Sequence, residues 1–222
     1  MKLRSLARGA SLATAVLLLA APAATTVHAA EAPACAKEQL AYLDAEDKAA
    51  AADKDADAAQ AAFDQSERDR ATLKQTTSDI YDLSHAMDSL IGSLGMRGED
   101  DAELKELQKE QGTAAEAAVD ATKAMDAYDA AGVADAAEKA AAAGKRSVTA
   151  ARSGDFKTKI SVQSLAGVVE KDAAAARKAT TAKDYDTLKD KAQQSRADAR
   201  TAHDAVPTAR TELKTCLSNA SK

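Results

Sequence analysis

Only two cysteines occur in the 222 residues, and they stand near opposite ends, at Cys35 and Cys216. A disulfide needs α-carbons roughly 4.4–6.8 Å apart. If the two pair, the chain between them must leave one point and come back to it. The stretch that carries Cys216 shows what kind of path this is. From Tyr185 to Ala220, alternating steps of three and four pick out Tyr185, Leu188, Ala192, Ala199, Val206, Leu213 and Cys216 along one apolar seam. A seam of that period marks a helix packed lengthwise on another helix.

Composition points the same way. The chain is rich in alanine, with nine glycines, three prolines and no tryptophan. Alanine, leucine, lysine, arginine, glutamate and glutamine are the strong helix formers. The expected fold class is therefore all-α. Heavy use of alanine and aspartate also suits a GC-rich bacterial genome. In composition and period the chain resembles exported, alanine-rich coiled-coil proteins. That likeness carries no diagnostic motif and transfers no site residues.

Residues 1–29 read as a secretory signal peptide. Lys2, Arg4 and Arg8 give the basic start, LATAVLLLAA from Leu12 to Ala21 the apolar run, and Val27 and Ala29 the small residues before a cut at Ala29–Ala30. The run is too short to cross a bilayer, which takes about 20 residues, and no later apolar run replaces it. A lipid-anchor role for Cys35 fits poorly, because the apolar run ends well before Ala32-Pro33-Ala34 and Cys216 would be left odd. Export supplies the oxidising compartment that a Cys35–Cys216 bond requires. The formal charge is −5, and loss of the three leader cations takes it to −8. A domain of that charge is a poor match for nucleic acid, whose phosphates demand a basic surface. It is equally poor at binding anionic lipid by charge alone.

The remaining 30–222 reads as one domain. A long first helix is expected over about 33–92, with Ile80, Leu83, Met87, Leu90 and Leu94 at three-four spacing near its end. Gly92, Gly95 and Gly98 then stop it. They match no phosphate-loop pattern and read as a helix end and reversal. A second helix is expected over about 100–152, with Asp100 as its cap and a kink near Ala131-Gly132. Ser153-Gly154-Asp155 is a stop followed by a new cap. The segment 155–164 is ambiguous, since Phe156, Thr158, Ile160 and Val162 alternate with Lys157, Lys159 and Ser161 as a strand would. A lone strand has nowhere to pair, so a helix over about 156–180 is expected. Thr181 and Asp184 would cap a final helix over about 184–219, kinked by Pro207.

Four helices satisfy the cysteines: out, back, out, back. The expectation is an elongated antiparallel four-helix bundle or coiled coil of up-down topology, its ends closed by the disulfide. The longer first two helices would leave a two-helix coiled coil projecting at one end. Alanine seams bury little area per residue, so the bond would carry a large share of stability.

Chemistry is sparse. His85 has Asp82 and Asp88 one turn either side, and His203 has no evident ligand set. No nucleophile elbow occurs. Paired carboxylates are too common along the helices for any pair to stand out. Arg70 is the one cation in the Phe63 column and calls for a buried acidic partner. No catalytic residue, metal site or cofactor is assigned. The expected function is a secreted, non-enzymatic helical bundle acting through protein or cell-envelope contacts. The distal turn, with Ile91, Leu94 and Met96, is its candidate contact tip. Self-association through coiled-coil faces is a further expectation, with no nucleic-acid partner and no transmembrane anchor. The alternative is an extracellular carrier of a small ligand, haem or metal inside the bundle.

Overall fold

The computed structural model describes residues 34–94 and 101–221. The leader with its Ala29–Ala30 cut, and Met96, lie outside them. Within them all regular structure is helical: α1 Ala36–Gly92, α2 Ala102–Asp126, α3 Ala130–Ala150, α4 Phe156–Ala176 and α5 Tyr185–Ala220, with a 3-10 turn Ala182–Asp184 leading into α5. The disulfide Cys35–Cys216 is formed, with α-carbons 5.7 Å apart. No described helix is long and apolar enough to cross a membrane.

Side-chain pairs fix the directions. Arg146–Glu110 and Lys139–Glu116 set α3 antiparallel to α2. Lys145–Glu170 and Arg177–Glu138 set α4 antiparallel to α3. Tyr81 meets Thr122 on α2, while Asp53 meets His203 on α5. The second half of α1 thus packs with α2, α3 and α4 in a head, and its first half pairs with α5 alone in a stalk. The disulfide closes the far end of the stalk.

Two expectations are corrected here. The 100–152 helix is two helices, because the chain reverses at Ala127–Asp129 instead of kinking at Gly132. Tyr128 takes the left-handed conformation at φ 51°. Gly132 lies inside α3 and serves close packing: a Cβ there would stand 2.6 Å from Asp129 Oδ2 and 2.9 Å from Ala124 Cβ. With five helices, α4 and α5 both run back along α1, so the cysteines still meet. The two-helix projection is consequently formed by α1 and α5 at the disulfide end, and not by the first two helices.

Caps follow chemistry. Asp101 accepts the amides of Glu103 and Leu104 and starts α2. Asp155 accepts from the Thr158 amide and hydroxyl and starts α4, as its position after Ser153-Gly154 implies. Neither Thr181 nor Asp184 caps α5 with its side chain. Thr181 is taken instead by α1, as described below. Pro207 lies inside α5, which continues through it to Ala220.

The large buried side chains gather in the head: Ile80, Leu83, Met87, Leu90, Leu107, Val162 and Val169. The stalk buries mainly alanines, among them Ala45, Ala49, Ala59, Ala192 and Ala199. One Leu buried in place of Ala adds roughly 2 kcal/mol at ~0.8 kcal/mol per methylene. The head is therefore the stable part.

Close helix approach in the head depends on Gly144. A Cβ there would meet Leu83 Cδ1 at 3.0 Å and Ala166 Cβ at 3.1 Å. Leu83 is fully buried, and the Ala166 Cβ is fixed to its backbone. Gly144→Ala is expected to lower stability by ~1–2 kcal/mol despite its better helix propensity. Thermal melting checks this, and an unchanged or higher midpoint would contradict the packing argument.

Candidate functional site

Three of the exposed large hydrophobic residues among those described lie on α4, and Leu40, Leu43 and Leu217 are exposed on the stalk. Asp155 ends the turn after α3, and its cap sets Phe156 as the first helical residue. Phe156 is 74% exposed and Ile160, one turn on, is 50% exposed. Val168 continues the outer surface at 42%. The opposite face of the same helix supplies Val162, Ala166, Val169 and Ala173 to the core. Apolar residues thus occupy both faces of α4. Beside this ridge a groove of about 490 Å³ runs between α1 and α4, lined by His85, Ala86, Ser89, Lys157, Thr158 and Ser161.

The charges on α4 are unevenly committed. Glu170 pairs with Lys145 at 2.6 Å. Arg177 bridges Asp135 and Glu138, both at 2.8 Å. Lys159 donates to the Ala151 carbonyl. Asp172 faces Asp79 on α1, whose carboxylate already accepts from Gln75. Lys157, Lys171 and Lys178 make no ion pair among the described residues.

Burial first, and then a shared hydrogen bond with Asp79, raise the Asp172 pKa above its ordinary value. A folded-state pKa above the unfolded one gives stability that is present in acid and lost as pH rises through the folded value. Asp172→Asn is expected to raise the melting midpoint at neutral pH, with the gain vanishing below about pH 3, under the ordinary carboxyl pKa of ~4. A gain of equal size at both pH values would show that charge at this site is irrelevant.

The expected contact tip is placed differently from its residues' apolar character. Leu94 is buried and Ile91 is half-buried against the core, while Met96 lies outside the described residues. The same end of the head does carry an exposed aromatic, since Ser93 Oγ accepts the Asp155 amide at 3.3 Å and Phe156 follows directly.

A second cluster joins head to stalk. Arg70 lies between the rings of Tyr128 and Tyr185, 3.8 and 3.9 Å from their centroids. Its Nε donates to the Ala182 carbonyl at 3.1 Å. The buried acid beside it is Asp69, which accepts from the Thr181 amide and hydroxyl and from Gln65. Ser66 donates to the Thr181 carbonyl. Among the described residues the one carboxylate within ion-pair distance of Arg70 is the exposed Asp186, at 4.0 Å. Its partners are rings and a carbonyl, where the sequence called for a buried carboxylate.

The stalk carries an open groove of about 650 Å³ along the α1–α5 seam, with Ala45, Ala202, Ala205 and Ala209 on its floor and Asp44, Asp198 and Glu212 at its edges. His203 sits on the stalk surface with Asp53. His85 is exposed on the α4 groove. The one cluster of metal-ligand type among the described residues is Cys35, Glu38 and Cys216, and its two sulfurs are joined to each other.

No family model, curated protein or solved structure matches this chain.

Proposed function

We propose that this chain is an exported, non-enzymatic helical protein that works by contact with another protein or with the cell envelope, through the head. The observation that carries this is the exposed Phe156–Ile160 ridge, with its adjoining groove and uncommitted lysines. Isolated exposed apolar residues are ordinary on protein surfaces. Here two large ones lie one helical turn apart, next in sequence to residues that line a groove, on a helix whose other face already supplies the core. The stalk then acts as a spacer, stapled at its far end. Its uncovered flanks also leave room for self-association.

A photo-reactive residue placed at Ile160 on the producing cells, with Ala58 on the stalk as control, tests the reading. A defined cross-linked adduct from position 160, weaker or absent from 58, is the expected outcome. No adduct from either position sinks it. A native mass spectrum of the purified protein separates the carrier reading, since a haem, metal or small-molecule mass would favour that instead.

A further inference from the structure

We propose that the outer face of α4 docks an acidic amphipathic helix of a partner protein, whose apolar side covers Phe156 and Ile160 and whose carboxylates meet Lys157 and Lys171. This rests on the contact reading above and adds the chemistry of the partner.

Charge carries the argument. The chain as a whole has more acids than bases, 35 against 30. Along α4 and its last turn the balance inverts. Five cations (Lys157, Lys159, Lys171, Arg177, Lys178) stand against Glu170 and Asp172. Both of those acids are engaged, Glu170 by Lys145 and Asp172 by Asp79. Arg177 and Lys159 are engaged as well. What remains along α4 without an ion pair is cationic, Lys157 beside Phe156 and Lys171 three turns beyond Ile160, with the cap carboxylate Asp155 as the one acid next to Lys157. Opposite charge around an apolar centre steers association and fixes orientation. Phe156 and Ile160 lie one turn apart on one face of α4, so the apolar side of a partner helix laid along α4 would cover both.

The shape argues for a helix and against a bilayer. The groove beside the ridge is concave and lined by the polar His85, Ser89, Thr158 and Ser161. An acyl layer gains nothing from such groups, whereas a helix side chain can bond to them.

The probe is a labelled synthetic helix of about 18 residues, five turns, with leucine on one face and glutamate on the other. Anisotropy with the full-length oxidised protein should show binding that weakens with salt. A matched peptide with lysine for glutamate should not bind. Phe156→Ser with Ile160→Ser, and separately Lys157→Glu with Lys171→Glu, should each weaken binding at least tenfold. All four positions are exposed, so melting midpoints should stay put. Amide protection over 156–171 in the unmodified protein gives a footprint that needs no variant. Absence of binding, equal binding of the cationic peptide, or insensitivity to both double variants overturns the proposal. So does capture by phosphatidylglycerol vesicles that is lost in those variants, since the surface would then be a membrane site. Cross-links from position 160 without acidic-peptide binding would remove the partner chemistry and leave the contact reading standing.

Discussion

Reducing the Cys35–Cys216 bond is expected to speed amide exchange in the stalk, over about 36–65 and 188–216, by roughly thirtyfold or more, with the head changing far less. The stalk is a two-helix pair whose seam is mostly alanine, and Ala192 and Ala199 are the only buried residues of α5. Its packing stabilisation per turn is small. Its two helices are joined through the head at one end and through the disulfide at the other, 181 residues apart in sequence. In the chain-entropy model, cutting such a tether costs about 4–5 kcal/mol of stability, and measured bridges often deliver less. Half of that still multiplies the open population by about 30- to 60-fold, at tenfold per 1.4 kcal/mol. The head has its own core of Leu, Ile, Met and Val, so its openings do not depend on the bond. Hydrogen exchange with and without reductant, read peptide by peptide, decides the matter. Exchange that is unchanged everywhere would mean the stalk is stable alone. Exchange that rises uniformly would mean head and stalk unfold together.

That division into head and stalk was only partly legible from the amino acids. The disulfide and the helical class were plain, because cysteine count and helix propensity speak directly. The reversal at Tyr128 was not. Turns announce themselves through glycine, proline, asparagine, aspartate or serine, and Ala127-Tyr128-Asp129 offers only Asp129, in a chain where aspartate is common along every helix. The nearest glycine, Gly132, is needed for close packing three residues later, so its signal pointed to the wrong place. Alanine on every face of α2 and α3 also removes the polar–apolar contrast by which a change of helix axis would be seen. The α4 surface shows the opposite case. The strand-like alternation of Phe156, Ile160 and Val162 with lysines arose because the helix has apolar residues both inside and outside. Read as a helix, that pattern already implied an exposed apolar face. Ile91 and Leu94 stand out in the sequence as apolar residues near a turn, and the same apolarity places them against the core. No periodicity within α1 states how many neighbours surround its end.

Replacing Arg70 by alanine is expected to cost ~2–4 kcal/mol and to separate the melting of stalk and head into two transitions. Arg70 sits where α1 passes from three neighbours to one. The Tyr128 ring reaches it from the α2–α3 turn, the Tyr185 ring from the start of α5, and the Ala182 carbonyl from the linker between α4 and α5. One guanidinium thus ties three separate segments to α1. Each ring contact of a partly shielded cation contributes about 0.5–2 kcal/mol, and a charged donor to a carbonyl about 1.5–3 kcal/mol. These terms share one side chain and do not add fully. Tyr128 holds φ 51°, a conformation that costs a non-glycine residue of order 1 kcal/mol or more. Loss of Arg70 leaves that turn with less to hold it. Arg70→Lys keeps the charge and loses the planar stack and the fixed Nε donor, so it should fall between wild type and alanine. The neighbouring Asp69 and Ser66 continue to bind Thr181, which keeps the linker attached and makes the effect a loosening of the joint. Calorimetry on the oxidised protein reads the result. A single sharp transition at the original midpoint in Arg70→Ala would show that the joint lies elsewhere. A lysine variant as damaged as alanine would show that stacking, and not charge, holds it.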